Sequence, residues 1–384
     1  MAFRLGVLVQ VLAVLSLSIP VTADVVPENP VTYTPVDISG FSDSISHWRA
    51  KLGRDRKDAR FDPAQIVEIA ANLLRYQNAD GGWPKNVDWL ADIPETEVRR
   101  LSGDGLKKST LDNRNTYTQV EYLARVFLQT GDPAHRAAAE RGLDYVLREQ
   151  RPTGGWCGAD VDAVTFNDGV MTGVMRLLLS IRSGAPEFAW LDDARRRAAG
   201  EALDRALDCV LACQITVKGR KTAWCQQHDH ATFAPVKARA YELPSITAGE
   251  STDVLRLLAA LPDPDARVIA AVEAGAAWLQ SARIEGLRVE KVPIEPVRFT
   301  HHTATSDTVA VPDPAAPPLW ARYYDLETEK PFLCRRDGTR VETLAEVELE
   351  RRSGYAWYGR WPAAFLEKDY PAWRKRLGLP ELPQ

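Results

Sequence analysis

Four short segments of this chain mix carboxylates, amides and guanidinium groups in a way that could do chemistry. The first is Ser109-Thr110-Leu111-Asp112-Asn113-Arg114-Asn115-Thr116, directly before an amphipathic stretch that starts at Tyr117. Asp, Asn and Thr are preferred helix N-cap residues, so one of them is expected to cap that helix. A single cap leaves the other carboxylate and amide groups free for another task. The second segment, Thr165-Phe166-Asn167-Asp168, stands at the same point of the next helix pair. Two such clusters at equivalent ends of neighbouring helices would face each other, and converging hard oxygen donors suit calcium. The third runs from Trp224-Cys225-Gln226-Gln227-His228-Asp229 on to Lys237, Arg239 and Glu242; the fourth is Trp320 to Glu327, followed by Arg335 and Arg336. An arginine beside Trp and Tyr in a long ordered loop is suited to a carboxylate, because its planar fork can pair both oxygens.

The elements that must position these groups read as helices in pairs. Leu73 to Trp83 is LLRYQNADGGW, Val146 to Trp156 is VLREQRPTGGW, and Val210 to Trp224 is a looser third copy. Each is an amphipathic helix ending in Gln, then a Gly-containing turn, then a Trp. Helices from Tyr117 to Thr130 and from Asp168 to Arg182 lie between the copies, and Ile246 to Ala260 with Ala266 to Arg283 add a further pair. The repeat, about 70 residues long, is a helix pair that cannot bury its apolar stripe alone, so neighbouring pairs must stack. The fold class expected is all-α, an α/α toroid: an incomplete helical barrel with long loops gathered at its ends. The Gln is expected to satisfy orphan backbone groups at the helix end and the Trp to fill the corner. From Ile284 to about Arg340 prolines prevent helix, strand signal is weak, and a long ordered loop is expected. A helix from Thr343 to Arg352 and a Trp-rich tail close the domain.

Length, charge and cysteines set bounds. Net charge is −4, which excludes a general attraction to nucleic acid, so a polyanionic substrate would need a local basic cluster. With 45% hydrophobic residues and 11 Trp the chain can bury a sizeable core. The basic start Met1 to Arg4, the apolar run Leu5 to Ser18 and the small residues Val21-Thr22-Ala23 form the pattern of a secretory signal peptide, residues 1–23. That run is shorter than the ~20 residues of a spanning helix, so export to the periplasm or the medium is expected, with no membrane partner. Residues 24–62 read as an extended leader, and a helix is expected to open at Pro63. The domain then fills 63–384, and the protein is expected to act as a monomer. Of the five cysteines, Cys157 and Cys225 each follow a Trp and are open to pairing, and no spacing is a metal signature.

The strings NLLRYQNADGGWPKNVDW, STLDN, TFNDG, TAWCQQHD, KARAYELPSITAGES and LWARYYDLET, the last followed by RRDG, resemble those of polysaccharide lyase family ten, a pectate lyase family, in order from about Phe61 to Pro362. The resemblance implies a helical toroid and calcium-dependent anti-elimination of polygalacturonate. It also implies site residues. Asp112 and Asn113 match the family's Asp-Asn pair at the substrate and calcium site, and Asp168 a further calcium-region Asp. Arg239 matches the catalytic base; Arg322 and Arg336 match arginines that bind substrate carboxylates, with Lys237 a neighbour of the substrate. Two positions depart from the family pattern. Arg114 stands where a small, Gly-like residue is common, and Gly169 where a second acidic residue often sits. Other readings stay open: another α/α-toroid enzyme, such as a triterpene cyclase or an inverting glycoside hydrolase with two carboxylates astride the bond, or a non-catalytic uronan-binding relative.

Overall fold

The computed structural model describes residues 32–52, 58–300 and 302–380. The expected signal peptide lies outside them, and no described helix is long and apolar enough to cross a membrane. From Thr34 onward the chain forms one compact unit. It contains α1 (Ser42–Leu52), α2 (Ile66–Tyr76), α3 (Glu95–Ser102), α4 (Tyr117–Thr130), α5 (Pro133–Arg148), α6 (Val170–Arg182), α7 (Asp193–Cys213), α8 (Ala248–Ala259), α9 (Ala266–Ser281), α10 (Leu349–Gly354) and α11 (Tyr370–Arg376).

Hairpins α4–α5, α6–α7 and α8–α9 stack side by side. The first helix of each pair packs on the first of the next, and α5, α7 and α9 form the outer row. The arrangement is an incomplete α/α toroid with α4, α6 and α8 on its inner face.

Each pair is locked by the same corner. Gln77 Nε2 donates to Gly81 O (2.8 Å) and to Ala138 O of α5 (2.9 Å). Gln150 repeats this with Gly154 O and Ala202 O of α7, and Gln214 with Thr222 O and Ala271 O of α9. The indole N–H of Trp83, Trp156 and Trp224 donates back to Leu73 O, Val146 O and Val210 O. All three indoles are fully buried. In the two tighter copies the turn glycine has positive φ, 95° at Gly81 and 96° at Gly154. A β-carbon there would lie 2.3 Å from Arg141 O and 2.2 Å from Arg205 O respectively.

Several expectations shift. The leader is not extended throughout: a 3₁₀ turn, Ser39–Phe41, leads into α1, and Phe41 of the turn and Trp48 of the helix are both 2% exposed, Phe41 packing against Tyr122 of α4. The helix expected at Pro63 starts at Ile66. The region after Ile284 is not loop but a long antiparallel hairpin, Leu287–Arg298 with Thr303–Pro312. Its prolines lie at the strand end and at the irregularity between Pro293 and Val297, where ladder donors are not required. The last expected helix divides into a 3₁₀ turn, Leu344–Glu346, capped by Thr343, and α10. A small four-stranded sheet then ties the C-terminal segments to the third pair: 340–341, 331–334, 323–324 and 246–247, in that order. All five cysteines are free, so the pairing of Cys157 with Cys225 does not form.

Replacing Gly154 by Ala is expected to lower stability by more than about 2 kcal/mol, since backbone must move and φ is strained. At Gly131, where φ is 67° but space is open, the same change is expected to cost only about 1 kcal/mol. Urea midpoints of the two variants test this, and equal losses would refute the corner's role.

Candidate active site

The corners deliver the acidic residues. Behind each Trp, the next inner helix is joined to it by the same hydrogen bond: Thr110 N to Trp83 O, Thr165 N to Trp156 O and Thr247 N to Trp224 O. Two or three residues on stand Asp112, Asp168 and Glu250. The first two turns superpose in pattern, so Asp112 corresponds to Asn167, Asn113 to Asp168 and Arg114 to Gly169. Asn113 (φ 51°) and Asp168 (φ 52°) are both left-handed, a conformation Asn and Asp tolerate best among residues with a β-carbon.

The expected cap at α4 is absent, for a physical reason. The left-handed turn aims Thr116 and Asn115 at the turn itself rather than at the helix end: Thr116 Oγ1 donates to Thr110 O and accepts from Trp83 N, and Asn115 Nδ2 donates to Asp112 O and Asn113 O. Neither α4 nor α6 has a side-chain N-cap. The polar residues brace the turn, and the Asp112 and Asp168 carboxylates are left for other work.

Asp112 is buried and paired with Lys85, while Asn113 Nδ2 donates to Asn86 Oδ1 (2.8 Å). Lys85 and Asn86 follow Trp83 after Pro84, and the sequence reading held them only within the string NLLRYQNADGGWPKNVDW, with no role of their own. Asp168 lies on the neighbouring turn, exposed at the cavity mouth while protein atoms crowd its carboxyl. Burial and then the Asp112 charge push its carboxyl up to about 7, with Arg239 acting the other way and Glu250 adding to the rise. Negative charge at these turns therefore exceeds what the cations compensate. That is the condition a divalent cation relieves, and Asp112, Asp168 and the Asn113 amide offer the hard oxygens calcium takes.

The basic side stands on two tyrosines. Tyr241 and Tyr355 meet edge-on, with centroids 5.3 Å apart. Arg239, Arg351 and Arg336 lie over Tyr241 at 5.3, 4.9 and 5.6 Å, and Arg322 lies over Tyr355 at 4.3 Å. Arg322 is held further by Glu250 Oε1 (3.2 Å), by Ala356 O (2.8 Å) and by the Trp361 ring. Burial works against its charge, but the Tyr355 and Glu250 surroundings win, and the guanidinium is held above the usual arginine range. Arg239 pairs with the buried Glu242, and its Nε lies 3.8 Å from Asp160. Burial opposes its charge too; the Glu242 bond outweighs that and holds its proton more tightly than usual. Arg336 is half-exposed, 3.5 Å from Glu350.

Of the sequence-derived candidates, the structure thus gathers Asp112, Asn113 and Asp168 on one bank and Arg239, Arg322 and Arg336 on the other. Lys237 is exposed, and no hydrogen bond or ion pair ties it to another of the described residues. Residues the sequence reading missed are Lys85, Glu250, Tyr355 and Trp361. Glu250 carries a local signal, three residues after the Thr that follows the third corner, as Asp168 does after the second. His228 is a core group: buried, pushed down to about 4 by burial, accepting from Cys225 N and paired with Phe233 O. A cavity of about 530 Å³ opens at Asp168, Glu250 and Arg322 and continues between the inner helices past Glu121, Arg125 and Arg176. Both departures from the family pattern sit at its rim. Arg114 (φ 60°) reaches Asp43 at 3.2 Å, and a β-carbon on Gly169 would come within 3.0 Å of the Tyr117 hydroxyl. With Tyr117 in place, an acidic side chain at 169 would be crowded.

No curated protein sequence matches the chain. Two solved structures are similar over 90% of it, each at 26% identity and a TM-score of 0.65. One is a point mutant of a family 10 polysaccharide lyase from Cellvibrio cellulosa in complex with trigalacturonic acid, covered over its whole length; the other is the family 10 polysaccharide lyase from the same organism, covered over 98%. The pectic acid lyase family model matches residues 77–366, a span that contains every corner and both banks of the cleft, and the chain belongs to that family.

Proposed function

We infer that the protein is a pectate lyase, cleaving (1→4)-α-D-galacturonan by calcium-assisted anti β-elimination to 4,5-unsaturated oligogalacturonates. The observation that carries this reading is the opposition, across one cleft, of the Asp112 and Asp168 carboxylates and an arginine cluster standing on Tyr241 and Tyr355. A hydrolase needs two carboxylates astride a glycosidic bond; here Asp112 and Asp168 lie together on one side, and Glu242 and Glu250 on the other are taken up by Arg239 and Arg322.

Arg322 and Arg336 pair uronate carboxylates, Arg322 with its fork already oriented by Glu250 and the aromatic rings, so little freedom is lost on binding. Calcium held by Asp112, Asp168 and Asn113 would supply positive charge beside the uronate carboxylate, where carbanion charge develops. Arg239 is the base that takes the C5 proton; the C5–H electron pair becomes the C4–C5 double bond, and the C4 glycosidic oxygen leaves with its bonding pair and takes a proton from solvent. The Glu242 pair makes this demanding, because Arg239 must lose its own proton before it can accept another. Nearby positive charge favours that loss. All these residues come from one chain, so a monomer suffices. A signal peptide at residues 1–23 fits an enzyme whose polymeric substrate lies outside the cell.

Purified protein is expected to release ultraviolet-absorbing unsaturated product from polygalacturonate in calcium and not in chelator. Rates in Arg239→Ala and Asp112→Ala are expected to fall about 10²–10⁴-fold. Products without the unsaturated end, or oligogalacturonate binding with no turnover, would overturn the reading.

Two pH effects follow. Calcium must displace the proton from Asp168, so affinity is expected to weaken as pH falls through about 7, by up to roughly tenfold per unit below it. Because the folded-state pKa is raised, the calcium-free protein loses stability as pH rises from the ordinary carboxylate range to about 7, and the loss is complete above it. Asp168→Asn is therefore expected to raise the calcium-free melting temperature at pH 8 while abolishing the calcium effect; calorimetry checks both signs. Glu242 favours the protonated form of Arg239, so Glu242→Gln lowers the Arg239 pKa. The rise of kcat with pH is expected to move about one unit or more toward acid, and an unmoved pH profile would argue against Arg239 as base.

A further inference from the structure

At the edge of the cleft, on the loop that also carries Asp160, three unlike donors converge. Cys157, the residue after Trp156, has its Sγ 3.0 Å from Asp162 Oδ1 and 3.2 Å from His230 Nε2, and that Nε2 is 3.3 Å from the same Oδ1. We propose that Cys157, Asp162 and His230 form a site for a transition-metal dication of the zinc type, separate from the calcium position.

The geometry suits that ion. Three atoms so spaced can all be reached at about 2.0–2.3 Å from a point about 1 Å off their plane, the bond lengths zinc makes to imidazole nitrogen, carboxylate oxygen and thiolate sulfur. Thiolate and imidazole select against calcium and magnesium, which take oxygen ligands. Cys157 and His230 are half-buried and Asp162 is exposed, so an ion can enter and a water can take the fourth position. Arg151 Nη2 donates to Asp162 Oδ1 at 2.7 Å, orienting the carboxylate from outside and balancing the charge of thiolate and carboxylate. On ligation the Cys157 thiol gives its proton to solvent.

The frame that presents the three donors is fixed. Val164–Thr165 pairs with Gln227–His228, which aligns the 157–162 loop beside the turn that carries His230. Within that turn Asp229 Oδ1 accepts from Ala231 N (3.0 Å) and Thr232 N (2.7 Å), which settles the position of His230. The ligands are scattered as Cys-x₄-Asp and then far downstream, so no metal spacing shows in the sequence. The site also has a consequence for the cleft. Its loop carries Asp160, the carboxylate 3.8 Å from Arg239, and Gly158, whose N–H donates to Thr165 Oγ1 at 3.0 Å. A bound ion would stiffen the loop that faces Arg239.

Cobalt titration of the metal-stripped, full-length protein tests this. The expected result is a near-ultraviolet thiolate-to-cobalt charge-transfer band with strong visible bands of tetrahedral cobalt, undiminished by excess calcium. Cys157→Ser is expected to abolish the band, and His230→Ala and Asp162→Asn to weaken cobalt binding by about tenfold or more. Zinc is expected to raise the melting temperature of the unaltered protein and not of the variants, whose metal-free melting shows that they fold. No thiolate band in the unaltered protein, a band that survives Cys157→Ser, or displacement of cobalt by calcium would each overturn the proposal. This readout is independent of lyase activity, so its failure is distinguishable from failure of the pectate lyase reading.

Discussion

The hydrogen bonds of three glutamines at helix ends hold the working parts in register. Each Gln side chain bridges its own turn and the next outer helix, and each Trp that follows ties back to the helix it leaves. These groups are buried or nearly so, where an unmade bond costs about 1–3 kcal/mol. The alternative to the corner is therefore expensive, and the corner is rigid. Because the Trp carbonyl also receives the Thr that leads into the next inner helix, one device sets both the stacking of the helix pairs and the position of the acidic turns.

Given that frame, the cleft separates charge by origin. Carboxylates come from turns inside the toroid, and arginines come mainly from segments after the third pair. The short sheet that pairs Ile246–Thr247 with Tyr323–Tyr324 joins the two, placing Arg322 within reach of Glu250. Tyr241 and Tyr355 then let several guanidinium groups share a small volume, since an aromatic face attracts a cation where water is partly excluded. The acidic bank has no such relief. Asp112 is partly answered by Lys85, while Asp168 meets burial and a second carboxylate, so its charge is costly until a cation arrives. Strain stored on one bank and preorganisation on the other are what an elimination site needs: a place waiting for positive charge, and a fixed cradle for the uronate.

The two departures from the family pattern are coupled in space. Arg114 and Gly169 occupy equivalent places on adjacent turns, and a β-carbon on Gly169 would meet the Tyr117 hydroxyl and the Arg114 stem. Arg114 pairs outward with Asp43 on α1, so the leader helix contributes a carboxylate to the rim of the cleft. The extra cation is thereby partly neutralised instead of facing the calcium-binding oxygens unopposed.

Much of this was legible in the chain itself. The repeated Gln–Gly–Trp strings announced helix pairs and their corners, because a 3.6-residue period and a turn chemistry are local properties. They led to the toroid, and the strings shared with the lyase family led to Asp112, Asn113, Asp168, Arg239, Arg322 and Arg336. The α1 helix was masked by the polar residues around Trp48. Tertiary structure alone decided the rest. Nothing local shows that Lys85 answers Asp112, that Glu250 orients Arg322, or that Tyr241 gathers three arginines, since each contact joins segments brought together only when the pairs stack. The capping residues before Tyr117 turned out to brace a left-handed turn, because the corner holds the backbone there before the helix begins. Cys157, Asp162 and His230 likewise became one cluster only through the pairing of two short strands. Local periodicity determines elements; long-range closure determines which charges meet.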